Sequence, residues 1–159
     1  MRLLLTICLA FGLLFAYKAE DLIGKTYNDL GLKSELICPI KNVPIEKHKD
    51  WLGYIQYNDN TIDAVSSPKY AFNFFHTEAL KHFAGIYKLY MTDFKTGKLI
   101  DASEAYYVFG SRIMSVGGDD IIPFANEADA KEFLEANSGK KIYRFDRMDK
   151  NFINYLDMR

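Results

Sequence analysis

The chain has 159 residues, 20 Lys and Arg against 21 Asp and Glu, and a formal charge of -1, with 49% of its residues hydrophobic and 15% aromatic. That balance lacks the basic footprint of a nucleic-acid binder and the polarity of a disordered chain, and the length suits one domain with a substantial core. Two cysteines exclude a disulfide framework.

Met1-Arg2 and the apolar run Leu3 to Phe15 read as the basic start and hydrophobic stretch of an export signal. The run is too short to span a bilayer as a mature helix. Cleavage after Ala16 fits the small-residue rule, with cleavage after Ala19 as the alternative, so the mature form is expected to have no stable membrane span. Ile7 stands where a lipobox needs a small residue before Cys8, which argues against lipid anchoring. Removal of residues 1–16 takes Cys8 away and leaves Cys38 as an unpaired thiol in an exported, periplasmic protein, an uncommon state in an oxidising compartment.

After an irregular stretch to about residue 50, residues 52–57 and 61–65 read as strands joined by the turn Asn58-Asp59-Asn60. Ser66-Ser67-Pro68 opens a helix expected over about 68–84, with Tyr70, Phe74, Phe75 and Leu80 or Phe83 on its inner face. Residues 86–91 form the next strand, followed by a turn at 93–97 into a short strand at 98–100. The order then repeats: strands at 105–109 and 120–124 flank the loop Gly110–Asp119. A helix capped by Asn126 turns Ala130, Phe133 and Leu134 inward and stops at Ser138-Gly139, and a strand follows at 141–145. Met148, Phe152, Tyr155 and Leu156 are spaced for a closing helix over 147–158. The expected fold is α+β, with two similar ββαβ-type halves, about 50–92 and 98–145, packed as one domain over 36–159.

Glycine-rich phosphate loops, nucleophile elbows and His-Glu-x-x-His are absent, so no enzyme class is indicated. His48, His76 and His82 are scattered and read as surface residues. Cys38 and Met114 carry the most chemistry: thiolate and thioether are the soft donors that select Cu(I), and Met114 lies in an irregular loop with little reason to be packed. Met91 reads as core, and Met148 and Met158 read as ordinary helix methionines, core or surface.

Thr92 to Ala102, Glu104 to Val108, Gly110-Ser111, Gly117-Gly118 and Ile121 to Phe124 together resemble the NosL family, exported accessory proteins for copper delivery to nitrous oxide reductase. Cys38-Pro39, Trp51, Tyr57-Asn58-Asp59, Pro68-Lys69, Phe72 and Phe74 fit the same family upstream. The resemblance implies two ββαβ-type halves and a copper site. The family pattern Cys-Pro-x-Cys-Gly-Met stands here as Cys38-Pro39-Ile40-Lys41-Asn42-Val43, and Val116 replaces the methionine usual before the first glycine of Gly117-Gly118.

The leading expectation is therefore a periplasmic, metallochaperone-like protein. It would bind Cu(I) through Cys38 and Met114, with His48 as a possible third donor, and pass it by ligand exchange to a cuproprotein or its assembly machinery. The alternative is a metal-free interaction module of a periplasmic respiratory complex, favoured by the cation Lys41 where a sulfur would sit. A thiol enzyme using Cys38 is the third reading, and it lacks an adjacent base in the sequence.

Overall fold

The computed structural model describes residues 22–78 and 85–159. The expected signal segment with Cys8, and the expected end of the first helix with His82, lie outside the described residues. Among the described residues, seven strands form two sheets and three α-helices pack with them, an α+β architecture.

In the first half, β1 (Gly53–Tyr57), β2 (Ile62–Val65), α1 (Pro68–Glu78) and β3 (Ile86–Thr92) are followed by β4 (Leu99–Asp101). β1 is central, pairing antiparallel with β2 and with β3, and the sheet order is β2-β1-β3-β4. In the second half, β5 (Tyr106–Phe109), β6 (Ile121–Phe124), α2 (Glu127–Ala136) and β7 (Lys141–Tyr143) repeat that connectivity as β6-β5-β7, also antiparallel throughout. A 3-10 turn at Phe145–Arg147 leads into α3 (Lys150–Asp157). The repeat expected from the sequence is thus present strand for strand, with β4 and α3 appended.

Local chemistry explains the turns and caps. Asn60 takes φ 66 in the β1–β2 turn, a conformation that asparagine tolerates better than most residues. Asn126 Oδ1 accepts from the Asp129 amide at 3.0 Å and Asp149 Oδ1 from the Phe152 amide at 2.9 Å, capping α2 and α3. β1 is buried along its whole length. At Gly53 a Cβ would lie 2.4 Å from Ala71 Cβ, so only glycine lets α1 approach β1 this closely.

The core corrects the expected helix faces. In α1 the residues from Pro68 to Phe72 are all buried, Tyr70 as expected, whereas Phe74 and Phe75 are only partly covered. The first turns of α1 pack on β1 through Ala71 and on Tyr107 and Phe145 through Phe72, with ring centroids 5.6 Å apart in both pairs. A helix start held between the two halves is buried on more than one side, which a single amphipathic stripe does not describe. In α3, Phe152 and Leu156 are buried as expected, but Ile153 is buried in place of the expected Tyr155, which is exposed. The strand expected over 141–145 gives way to the 3-10 turn beyond Tyr143. Met91 is buried, as expected, and Met148 is buried as well.

The halves exchange aspartates. Asp120, at the start of β6, accepts the Lys69 amide of α1 at 2.9 Å. Asp93, just after β3, accepts the Ala125 amide before α2 at 3.3 Å. A further backbone bond joins Phe94 N–H to the Pro123 carbonyl at 2.9 Å. The start of α1 therefore receives a carboxylate from the opposite half, where the unpaired amides and the helix dipole favour negative charge, and Asp93 ties the chain just ahead of the α2 cap.

At the edge of the first sheet Asp101 pairs with Lys88 at 2.5 Å and accepts from Ser103 N–H and Oγ–H at 2.8 and 2.7 Å. Burial pushes its carboxyl up, but these bonds outweigh burial and hold it below the usual carboxylate value. A depressed carboxyl stabilises the fold above its unfolded value near ~3.9 and loses that contribution as pH falls through its folded value. Urea unfolding of the protein and of Asp101→Asn should thus show a gap at pH 6–7, about 1 kcal/mol or less for a partly solvated pair, that closes below about pH 4. A gap that widens in acid would contradict this assignment.

Candidate metal-handling site

Cys38 lies in a short hairpin before the first sheet. Ile37 bridges Pro44, Cys38 N–H donates to the Val43 carbonyl at 2.9 Å, and Asn42 N–H returns to the Cys38 carbonyl at 2.9 Å. Asn42 adopts φ 56 to close the turn through Pro39, Ile40 and Lys41. The turn tip is exposed, but the Cys38 side chain points inward and is fully buried as a free thiol. Its Sγ accepts from Ser66 N–H at 3.4 Å and from Ser66 Oγ–H at 3.2 Å. Ser66 follows β2 directly, so the sulfur is fixed at the junction of β2 and α1.

The Gly110–Asp119 loop, expected to be irregular, contains a tight turn tied to β6. Ser115 and Gly118 exchange backbone bonds at 3.1 Å, with Gly118 at φ 86. Ser115 Oγ donates to Asp120 Oδ2 at 2.6 Å and accepts from Gly117 N–H at 2.9 Å. Asp120 is buried and also accepts from Ile121 N–H and the Ser67 side chain. Burial pushes its carboxyl up, against the hydrogen bonds of Ser115, Ser67, Ile121 and Lys69. Within this loop the Met114 side chain is 60% exposed, whereas Val116 packs partly against the core.

The two motif segments meet around the start of α1. The Lys41 ammonium lies over the Tyr70 ring, 6.0 Å from its centroid. On the other segment, a Cβ at Gly117 would be 2.7 Å from the Tyr70 hydroxyl, so the glycine is required by the tyrosine pressed against it. Beside Tyr70, the Lys69 ammonium donates to the Gly117 carbonyl at 2.8 Å and the Leu156 carbonyl at 3.5 Å, and pairs with Asp157 at 3.2 Å. The Lys69 side chain is only 2% exposed, so this charge is a structural tie between the loop, α1 and the end of α3.

The structure thus brings the Cys38 turn and the Met114 loop to one end of α1, with Cys38 buried and Met114 outward. His48 sits at a break inside the 3-10 run Ile45–Trp51, with φ -124 and ψ 21. His76 is not a solvated surface residue, because its Nε2 lies 2.6 Å from the Met148 carbonyl and the ring is partly buried. Among the described residues, no three His, Cys, Asp or Glu side chains are grouped to hold a metal ion. Ser66, Lys69, Tyr70 and Asp120 build this region, and sequence reasoning gave none of them that role. The Pro68-Lys69 pair was a usable signal, since a lysine at a helix start opposes the helix dipole and needs a compensating reason. Among the described residues, no helix is long and apolar enough to cross a membrane.

A 54-residue stretch is 41% identical to a copper-binding lipoprotein NosL of Stutzerimonas stutzeri, covering 34% of this chain and 28% of that relative. The match therefore spans less than a third of the relative's length. The fold is similar to the crystal structure of the copper chaperone NosL from Shewanella denitrificans, with TM-score 0.63 and 22% identity over 75% of this chain and 93% of that one. The NosL family model matches residues 29–153, most of the chain and both halves, and the chain belongs to the NosL family.

Proposed function

We propose that this protein handles Cu(I) in the periplasm as a metallochaperone-like accessory protein and passes it to a cuproenzyme such as nitrous oxide reductase. The supporting observation is the meeting of the Cys38 turn and the Gly110–Asp119 loop at the start of α1, within a family whose relatives are named for copper. Cys38 supplies a thiolate and Met114 a thioether, the soft pair suited to Cu(I). Ser66 orients the sulfur from behind, as outer-shell hydrogen bonds do for metal ligands. The thiol is buried, so uptake requires the Pro39–Asn42 turn to move off the sulfur, and Met114 is the donor that meets the incoming ion. The chemistry is exchange of ligands with a partner, without a catalytic step.

Competition between the reduced protein and a coloured Cu(I) chelator tests this reading. We expect one equivalent of Cu(I) to be withdrawn from the chelator, a loss of that binding in Cys38→Ala, and a weakening of about 10–100-fold in Met114→Ala. No withdrawal of copper, or unchanged affinity in Cys38→Ala, would overturn it.

Lys41 favours a second reading, a metal-free interaction module. Its ammonium stands on the turn where the family pattern has a cysteine, and a cation there opposes a bound Cu(I). Under that reading Cys38→Ser leaves partner capture intact, and capture is the same with copper and with a Cu(I) chelator.

A further inference from the structure

Away from this end of the molecule, a cleft of about 280 Å³ opens between α2 and the segment after β3. Its wall is aromatic: Phe94, Phe124 and Phe133 pack with ring centroids 5.1 to 6.1 Å apart. Trp51 backs Phe94 edge-on at 5.2 Å. The rim is charged and unbalanced, with two carboxylates, Asp129 and Glu132, against one ammonium, Lys95. Lys95 reaches across to both, at 2.5 Å from Asp129 and 3.0 Å from Glu132, with its side chain about half exposed. An ammonium therefore already occupies the rim, carried on a flexible four-carbon stem that costs rotamer freedom to hold there. Nothing in the proposed copper chemistry uses these residues.

An apolar, π-rich cavity beside a surplus of negative charge suits a ligand that is both cationic and greasy. Phosphates, sugars and neutral amides satisfy one half of that description at most. The cavity volume accommodates a compact head group and excludes a large drug-sized body.

We propose that this cleft binds an organic ammonium, a quaternary or alkylated ammonium head on a short apolar body. The phenylalanines cover the body, Asp129 and Glu132 face the charge, and Lys95 is the resident cation that the ligand displaces. Displacement makes the site weak in the native protein and tunable at one residue.

Amide NMR titration of the purified protein tests this with two probes, choline and its neutral isostere 3,3-dimethylbutan-1-ol. Choline should shift the amides of Phe94, Glu132 and Phe133 saturably, and the isostere should bind about tenfold more weakly or worse. Lys95→Ala should tighten choline binding by about threefold or more, since it removes the competing ion. Glu132→Gln, an exposed change that leaves the fold intact, should weaken it by a similar factor. No saturable shift with choline, equal binding of the isostere, or weaker binding in Lys95→Ala would each overturn the proposal.

Discussion

Asp120→Ala is expected to lower the unfolding free energy by about 3–5 kcal/mol, the range for stripping a buried charged acceptor from its donors. The substitution leaves the amides of Lys69 and Ile121 and the hydroxyls of Ser115 and Ser67 facing a void. It also removes the carboxylate at the start of α1, where the dipole rewards it. For a chain of this length, about 2–4 °C of melting temperature per kcal/mol predicts a drop of roughly 6–20 °C. Asp120→Asn keeps one acceptor oxygen and should lose less. Thermal melts of both variants check this, and an Asp120→Ala melting temperature within about 2 °C of the parent would show that the donors find other partners. Because Ser115 hangs from Asp120, the variant should also speed hydrogen exchange at Gly117 and Gly118, loosening the loop that carries Met114.

Phe72→Ala is the second large effect, about 3–5 kcal/mol, since the ring is wholly buried and its removal adds a cavity to the lost transfer energy. Phe72 is the α1 residue that meets Tyr107 of β5 and Phe145 after β7, so the void opens between the halves. Phe72→Leu should recover part of the loss. The partly covered Phe74 supplies the contrast: Phe74→Ala should cost clearly less in the same urea titration, and equal costs would mean that the face assigned to α1 is wrong.

Local pattern made most of the elements readable. The apolar strand runs at 52–57 and 105–109, the asparagine turn at 58–60 and the cap Asn126 act within a few residues, and each lands where the sequence puts it. Phe72 was not readable as core, because its partners Tyr107 and Phe145 lie 35 or more residues away and only the packing of the halves brings them together. Cys38 shows the same limit in the site. An unpaired cysteine in an irregular segment reads equally as a ligand or as a buried thiol, and the backbone bonds of its hairpin turn the side chain inward onto Ser66, 28 residues ahead. Lys69 looked like an ordinary charged residue at a helix start, and its burial follows from a carbonyl contributed by Gly117 and an acid by Asp157. Met114 alone sits as its surroundings suggested, outward on its loop.

The crossed aspartates have a consequence for how the molecule comes apart. With Asp120 completing α1 and Asp93 meeting the chain just before α2, each half supplies a carboxylate that binds the other half's backbone, so an isolated half would lose a bond in each direction. Unfolding is then expected to be cooperative, since a species with one half formed and the other frayed gives up both contacts at once. The Cys38 turn packs on Ser66 of the first half and Met114 lies in a loop of the second, so their meeting at the start of α1 exists only when both halves are folded.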